Sequence, residues 1–160
     1  MAEHGATTIW ELWNGNTANP SMNSQNHVML LGDLLIWYYE HLAGIKANKP
    51  GFKQLMMNPN FDNPLQDVEA SYQSLYGLIK SSWKKTGRNL IWNITIPPNS
   101  SALVYFPTTA KEKISEGNKG VEAVAGIRYI KEEKGKAIFA VDAGTYQFRI
   151  KHADLSDKNK

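Results

Sequence analysis

The chain has 160 residues, 42% of them hydrophobic, no cysteine and a formal net charge of +3. That length predicts one domain, or one domain with an appendage. The absence of cysteine excludes a disulfide framework and a thiolate metal site. The opening MAEHGATTIWELW has neither a basic start nor an apolar core, so it is not a signal peptide. The apolar run at 28–31 is far too short to span a bilayer, so no membrane partner is expected. Together these features favour a cytoplasmic location.

The charge is unevenly placed. All 18 lysines and arginines lie from Lys46 onward, where they meet 11 acids. Residues 1–45 hold four acids, Glu3, Glu11, Asp33 and Glu40, and no base. Such a shift predicts a domain boundary near Ile45. The lysines of the second part are interleaved with glutamates, as in Lys131-Glu132-Glu133-Lys134. That is a solvated surface rather than a basic stripe, and no nucleic-acid partner is expected.

Residues 1–5 read as a helix end, with Gly5 as the left-handed residue that follows it. Residues 7–13 are ambiguous: Thr7, Thr8, Ile9 and Trp10 favour a strand, while Trp10-Glu11-Leu12-Trp13 suits a helical turn. A loop rich in Asn, Ser, Gly and Pro follows over 14–24. Ser24 is placed to cap the next helix, which puts His27 in its first turn. Apolar residues recur at Leu30, Leu31, Leu34, Leu35, Trp37, Tyr38 and Leu42, so the helix is expected to reach Ala43, with Gly44 closing it. Met29, Ile36 and Tyr39 widen the stripe, and a helix apolar on several faces needs neighbours on several sides.

Residues 46–50 read as a linker into a different regime of short, alternating segments. Strands are predicted at 52–57, 67–74, 77–84, 89–96, 101–106, 127–131, 136–141 and 144–151, with a polar loop over 108–120. The clearest alternations put Leu90, Trp92, Ile94 and Ile96 on one face, then Ala102, Val104 and Phe106, then Tyr146, Phe148 and Ile150. This pattern predicts a mainly β fold: an antiparallel β-sandwich over 46–153, preceded by a short helical segment over 1–45. Residues 154–160 read as a polar, disordered tail.

The chemistry concentrates in residues 7–27. Glu11 lies between the indoles of Trp10 and Trp13, and the loop beyond ends at His27. A carboxylate that activates water, rings that stack on a pyranose and an imidazole that donates to a hydroxyl together make a sugar-processing pocket. The plainer reading is a core tryptophan pair with a solvated glutamate. Tyr72, Tyr76, Trp83 and Trp92 are further aromatic platforms to consider, although Trp92 sits on an alternating apolar face that suits a core. No spacing among the histidines suggests a metal, and no phosphate loop or nucleophile elbow is present, so no cofactor is expected.

These residues also carry a resemblance. TTIWELW followed by MNSQNH, then LLGDLLIWYYEHLAGI, ASYQSLYGLIKSSW and ITIPPNSSALVYFP, resembles the C-terminal part of bacterial α-L-rhamnosidases, a family of inverting glycoside hydrolases. The resemblance implies that residues 1–45 end an (α/α)6 catalytic barrel and that residues 46–153 form the sandwich buttressing it. It implies Glu11 as the general base and His27 as a sugar contact, with Trp10 and Trp13 as an apolar wall. The substrate class would be terminal α-L-rhamnose on a glycan or glycoside.

An inverting glycosidase holds two carboxyl groups about 6.5–9.5 Å apart. Nothing here matches the family's acid-rich segment, and Asp33 and Glu40 are the nearest candidates without being assigned the role. The chain is therefore expected to be a fragment that is inactive alone. Its expected partners are a rhamnose-containing carbohydrate and either the missing barrel portion or a second copy docked through the helix at 27–43. The rival reading is a non-catalytic carbohydrate-binding or protein-interaction module.

Overall fold

A computed structural model describes residues 2–19, 21, 24–27 and 29–151. The chain divides into two compact units, Met1–Tyr38 and Tyr39–Lys160. The tail expected at 154–160 lies outside the described residues.

The first unit opens with a 3-10 turn at Ala2–His4. Gly5 follows with φ +77°, and its N–H bonds Ala2 O at 2.9 Å, which closes the turn. Residues 7–13 form neither strand nor helix but a chain of bends. The helix, α1, spans Met29–Trp37 and passes into a π-helical turn at Tyr38–Leu42. It starts later than its sequence suggests. Ser24 does not cap it; its hydroxyl instead accepts the Asn26 N–H at 3.0 Å. His27 stands ahead of α1 rather than in its first turn, because its N–H is bound to Ile9 O at 2.7 Å. As the pattern predicted, α1 is apolar on more than one face: Leu31, Leu34, Leu35, Ile36 and Trp37 are each 41–57% exposed.

The second unit is a sandwich of two sheets. Its strands are β1 (Ile45–Ala47), β2 (Gln54–Met57), β3 (Asp67–Ser74), β4 (Gly77–Thr86), β5 (Asn89–Ile96) and β6 (Ser101–Phe106). They continue with β7 (Ile114–Glu116), β8 (Lys119–Gly120), β9 (Ile127–Glu133), β10 (Lys136–Val141) and β11 (Gly144–Ile150). One sheet has the order β1-β2-β6-β10-β9 and the other β3-β4-β5-β11-β7-β8. Neighbouring strands are antiparallel except β2 and β6, which run parallel from Gln54↔Ser101 to Met57↔Val104. β1 replaces part of the expected linker, and β7 and β8 lie within the expected polar loop.

The alternation read from the sequence explains the core. Leu90, Trp92, Ile94 and Ile96 of β5 are at most 2% exposed, as are Val104 and Phe106 of β6 and Phe148 and Ile150 of β11. The sheets meet through rings at edge-to-face geometry: Phe106 lies 5.8 Å from Trp92 and 4.9 Å from Phe148. Such pairs contribute about 0.5–1.5 kcal/mol beyond their burial. Phe61, from the loop after β2, inserts between Trp83 and Trp92 at 5.5 and 5.4 Å. Trp83 and Trp92 are therefore core residues and not sugar platforms, whereas Tyr72 stays 44% exposed.

Ser81 on β4 is fully buried, and it joins the core to the entry of the sandwich. Its hydroxyl donates to Ala43 O at 2.6 Å and accepts the Trp92 indole N–H at 3.0 Å. Trp83 adds an indole N–H to Leu42 O at 2.8 Å. Replacing Ser81 by alanine strands a carbonyl and an indole N–H in an apolar core, at about 1–3 kcal/mol for each unsatisfied group. Ser81→Ala should lower the urea midpoint by an amount equivalent to about 3 kcal/mol with the slope unchanged. A midpoint shift under ~0.5 kcal/mol would show that this bridge is dispensable.

Candidate active site

The loop that carries the candidate residues is closed by its own backbone. Ile9 O accepts the His27 N–H at 2.7 Å, and Ser24 O accepts the Glu11 N–H at 2.9 Å. These bonds lie two residues apart on one side and three apart on the other, and together they hold 9–11 against 24–27. Side chains add two ties. The Thr8 hydroxyl donates to Gln25 O, and the Gln25 carboxamide donates to Gly15 O at 2.8 Å. Sequence reasoning missed Gln25 and the site role of Ser24, because a polar loop residue shows no periodicity.

This frame brings Glu11 and His27 together. The Glu11 carboxylate accepts the Ser24 backbone N–H at 2.9 Å through Oε2. The same oxygen lies 4.0 Å from His27 Nδ1. No hydrogen bond to Oε1 occurs among the described residues, and the Glu11 side chain is 40% exposed. One carboxylate oxygen is thus anchored by a backbone donor.

The two indoles do not form a matched wall. Trp10 is only 7% exposed, and its ring is so close to Gly15 that a Cβ there would lie 2.7 Å from it. Trp10 is a packing residue that requires glycine at 15. Trp13 is 79% exposed and is the indole free to meet a ligand. The sequence offers two further carboxylates, Asp33 and Glu40. Asp33 lies on the exposed surface of α1, and Glu40 pairs with Lys46 at 3.0 Å. Among the described residues, no group of three or more His, Cys, Asp or Glu side chains could hold a metal ion.

Comparison with known proteins gives two consecutive family matches. Residues 1–42 match the bacterial alpha-L-rhamnosidase 6 hairpin glycosidase domain, and residues 44–121 match the bacterial alpha-L-rhamnosidase C-terminal domain. An α-L-rhamnosidase of Formosa agariphila is 34% identical over 154 residues, covering 93% of this chain and 16% of that protein. One from Alteromonas sp. is 34% identical over 152 residues, 92% of this chain and 15% of the relative. The structure of the Streptomyces avermitilis α-L-rhamnosidase complexed with L-rhamnose superposes with a TM-score of 0.78 at 26% identity, over 94% of this chain and 14% of that one. The α-L-rhamnosidase from Dictyoglumus thermophilum gives 0.78 at 29%, over 94% and 17%. The chain therefore spans about one sixth of the length of the relatives it matches.

Proposed function

Because this chain belongs to the bacterial α-L-rhamnosidase family and matches its C-terminal region, we propose that it is the C-terminal portion of an enzyme that hydrolyses terminal α-L-rhamnose with inversion. Glu11 is the general base of that reaction. The observation that carries this reading is the state of its carboxylate. Oε2 is fixed by the Ser24 N–H at 2.9 Å, which orients Oε1 to take a proton from the water that attacks the anomeric carbon. A base held by a backbone donor needs little reorganisation when the water arrives. His27 and Trp13 then contact the sugar, while Trp10 acts by packing the loop.

Inversion also needs a general acid on the opposite side of the bond. Neither Asp33 nor Glu40 is assigned that role, so in this reading the acid comes from elsewhere in the 6-hairpin domain. Further helices of that domain would cover α1. The purified 160-residue chain should then leave an aryl α-L-rhamnoside unhydrolysed. It should also self-associate through α1, whose apolar residues are 41–57% exposed. A Leu35→Glu/Ile36→Lys double variant should return it to monomer in light scattering. A wild-type chain that is monomeric at high concentration would contradict this.

The function is tested by transplant. The matching C-terminal region of the Streptomyces avermitilis enzyme is replaced by this chain, and hydrolysis of an aryl α-L-rhamnoside is measured. An active chimera supports the reading. A folded but inactive one refutes it and leaves the sandwich as a binding or interaction module.

A further inference from the structure

His27 Nδ1 is buried and has no hydrogen-bond partner among the described residues. Buried nitrogens of this kind are rare, because leaving one unpaired carries the whole cost of removing it from water. The ring as a whole is not sealed: 29% of the side chain is exposed. The charged group facing Nδ1 is Glu11 Oε2 at 4.0 Å. The backbone bonds Ile9–His27 and Glu11–Ser24 set this spacing, so it does not depend on side-chain choice alone.

A neutral imidazole has one N–H and one lone pair, and a carboxylate only accepts. Were the proton on Nε2, the Nδ1 lone pair would face an anion across 4.0 Å in a buried gap. With the proton on Nδ1, an N–H dipole points at Oε2 instead. The partner of one ring nitrogen thereby decides the chemistry of the other.

We propose that Glu11 holds His27 in the Nδ1–H tautomer, so that Nε2 meets the sugar as an acceptor, not as a donor. This reverses the donor role expected from the sequence. The part that concerns sugar rests on the function proposed above; the tautomer does not. Two consequences follow for the site. His27 is a positioning residue for Glu11, since Oε2 is directed by the Ser24 N–H and the imidazole N–H while Oε1 is left for water. The sugar hydroxyl beside His27 must donate, so a ligand that can only accept at that position is rejected.

The test uses the full chain with 15N-labelled histidine, at a pH where imidazole is neutral, in a two-bond 1H–15N correlation spectrum. His27→Gln identifies the His27 signals among the four histidines. The wild type should show a protonated Nδ1 and an unprotonated Nε2. Nε2–H in the wild type overturns the proposal. Glu11→Ala should move the proton to Nε2, with the Trp10 indole N–H signal reporting that the loop keeps its fold. Glu11→Gln removes the charge but keeps an acceptor for Ser24, and it should lower the Nδ1–H fraction. Unchanged tautomers in both variants would show that Glu11 is not the cause. An Nδ1–H tautomer beside an inactive chimera leaves the dyad standing and removes the enzymatic role. An active chimera with an Nε2–H tautomer removes the dyad alone.

Discussion

Glu11→Gln, placed in the Streptomyces avermitilis chimera, should lower kcat by about 10³-fold and leave KM within a few-fold. The carboxamide fills the same space and can still accept the Ser24 N–H that Oε2 now holds at 2.9 Å. What it cannot do is take a proton from water. General base catalysis typically contributes ~10²–10⁴-fold, and a factor of 10³ corresponds to about 4 kcal/mol of lost transition-state stabilisation. A loss confined to kcat is the signature of an interaction made only in the transition state. Trp13→Ala provides the contrast. Its ring is 79% exposed and packs little, so its removal should raise KM several-fold and change kcat less. A Glu11→Gln chimera that keeps more than a third of the parent kcat would remove Glu11 from the role of base.

Gly44→Ala should be the most destabilising single change of one atom's bulk in the sandwich. Gly44 has φ +74°, a conformation that costs an L-residue roughly 1–2 kcal/mol. The larger effect is steric. A Cβ there would stand 2.1 Å from Pro59 N and 2.6 Å from Asn58 C, both of them backbone. Neither side can yield cheaply. Gly44 O accepts the Asn58 N–H at 3.0 Å, and the neighbouring Ala43 is fully buried with its carbonyl held by Ser81. A total of about 4 kcal/mol follows, in the range reserved for broken cores and strained backbone. For a chain of this size that lowers Tm by roughly 10 °C. Gly87→Ala is the control. Gly87 has φ +59°, but a Cβ there meets nothing within 4 Å, so only the conformational cost of about 1 kcal/mol should remain. Thermal melts followed by the fluorescence of the buried Trp83 and Trp92 compare the two. Equal shifts would mean that the Pro59 contact relaxes freely.

The sequence by itself determined the parts of the fold whose interactions are local. β5 was legible because one face of a strand is buried, so its apolar residues recur with period 2. The hairpin joining β9 to β10 was legible as two short segments separated by a gap that contains Gly135, which takes φ +74°. Gly5 and Gly44 were legible for the same reason. The apolar character of α1 on more than one face, and hence its need for cover, was also plain from the sequence.

What only the tertiary structure decided depends on partners distant in sequence. β2 lies parallel to β6 because Gln54 meets Ser101, and no local signal encodes that pairing. β7 and β8 are short, and they become strands only because β7 adds to β11 and β8 adds to β7. Trp83 read as a possible platform until the Leu42 carbonyl and the Phe61 ring were found around it. At the site, the residue types Glu11, Trp13 and His27 were visible from the start. Their geometry was not, because the bonds from Ile9 to His27 and from Glu11 to Ser24 prevailed over the capping signal at Ser24. A cap is worth about 1 kcal/mol. Two backbone bonds and a charge-assisted one to the Glu11 carboxylate outweigh it. That balance keeps His27 out of the helix and turns its Nδ1 toward Glu11.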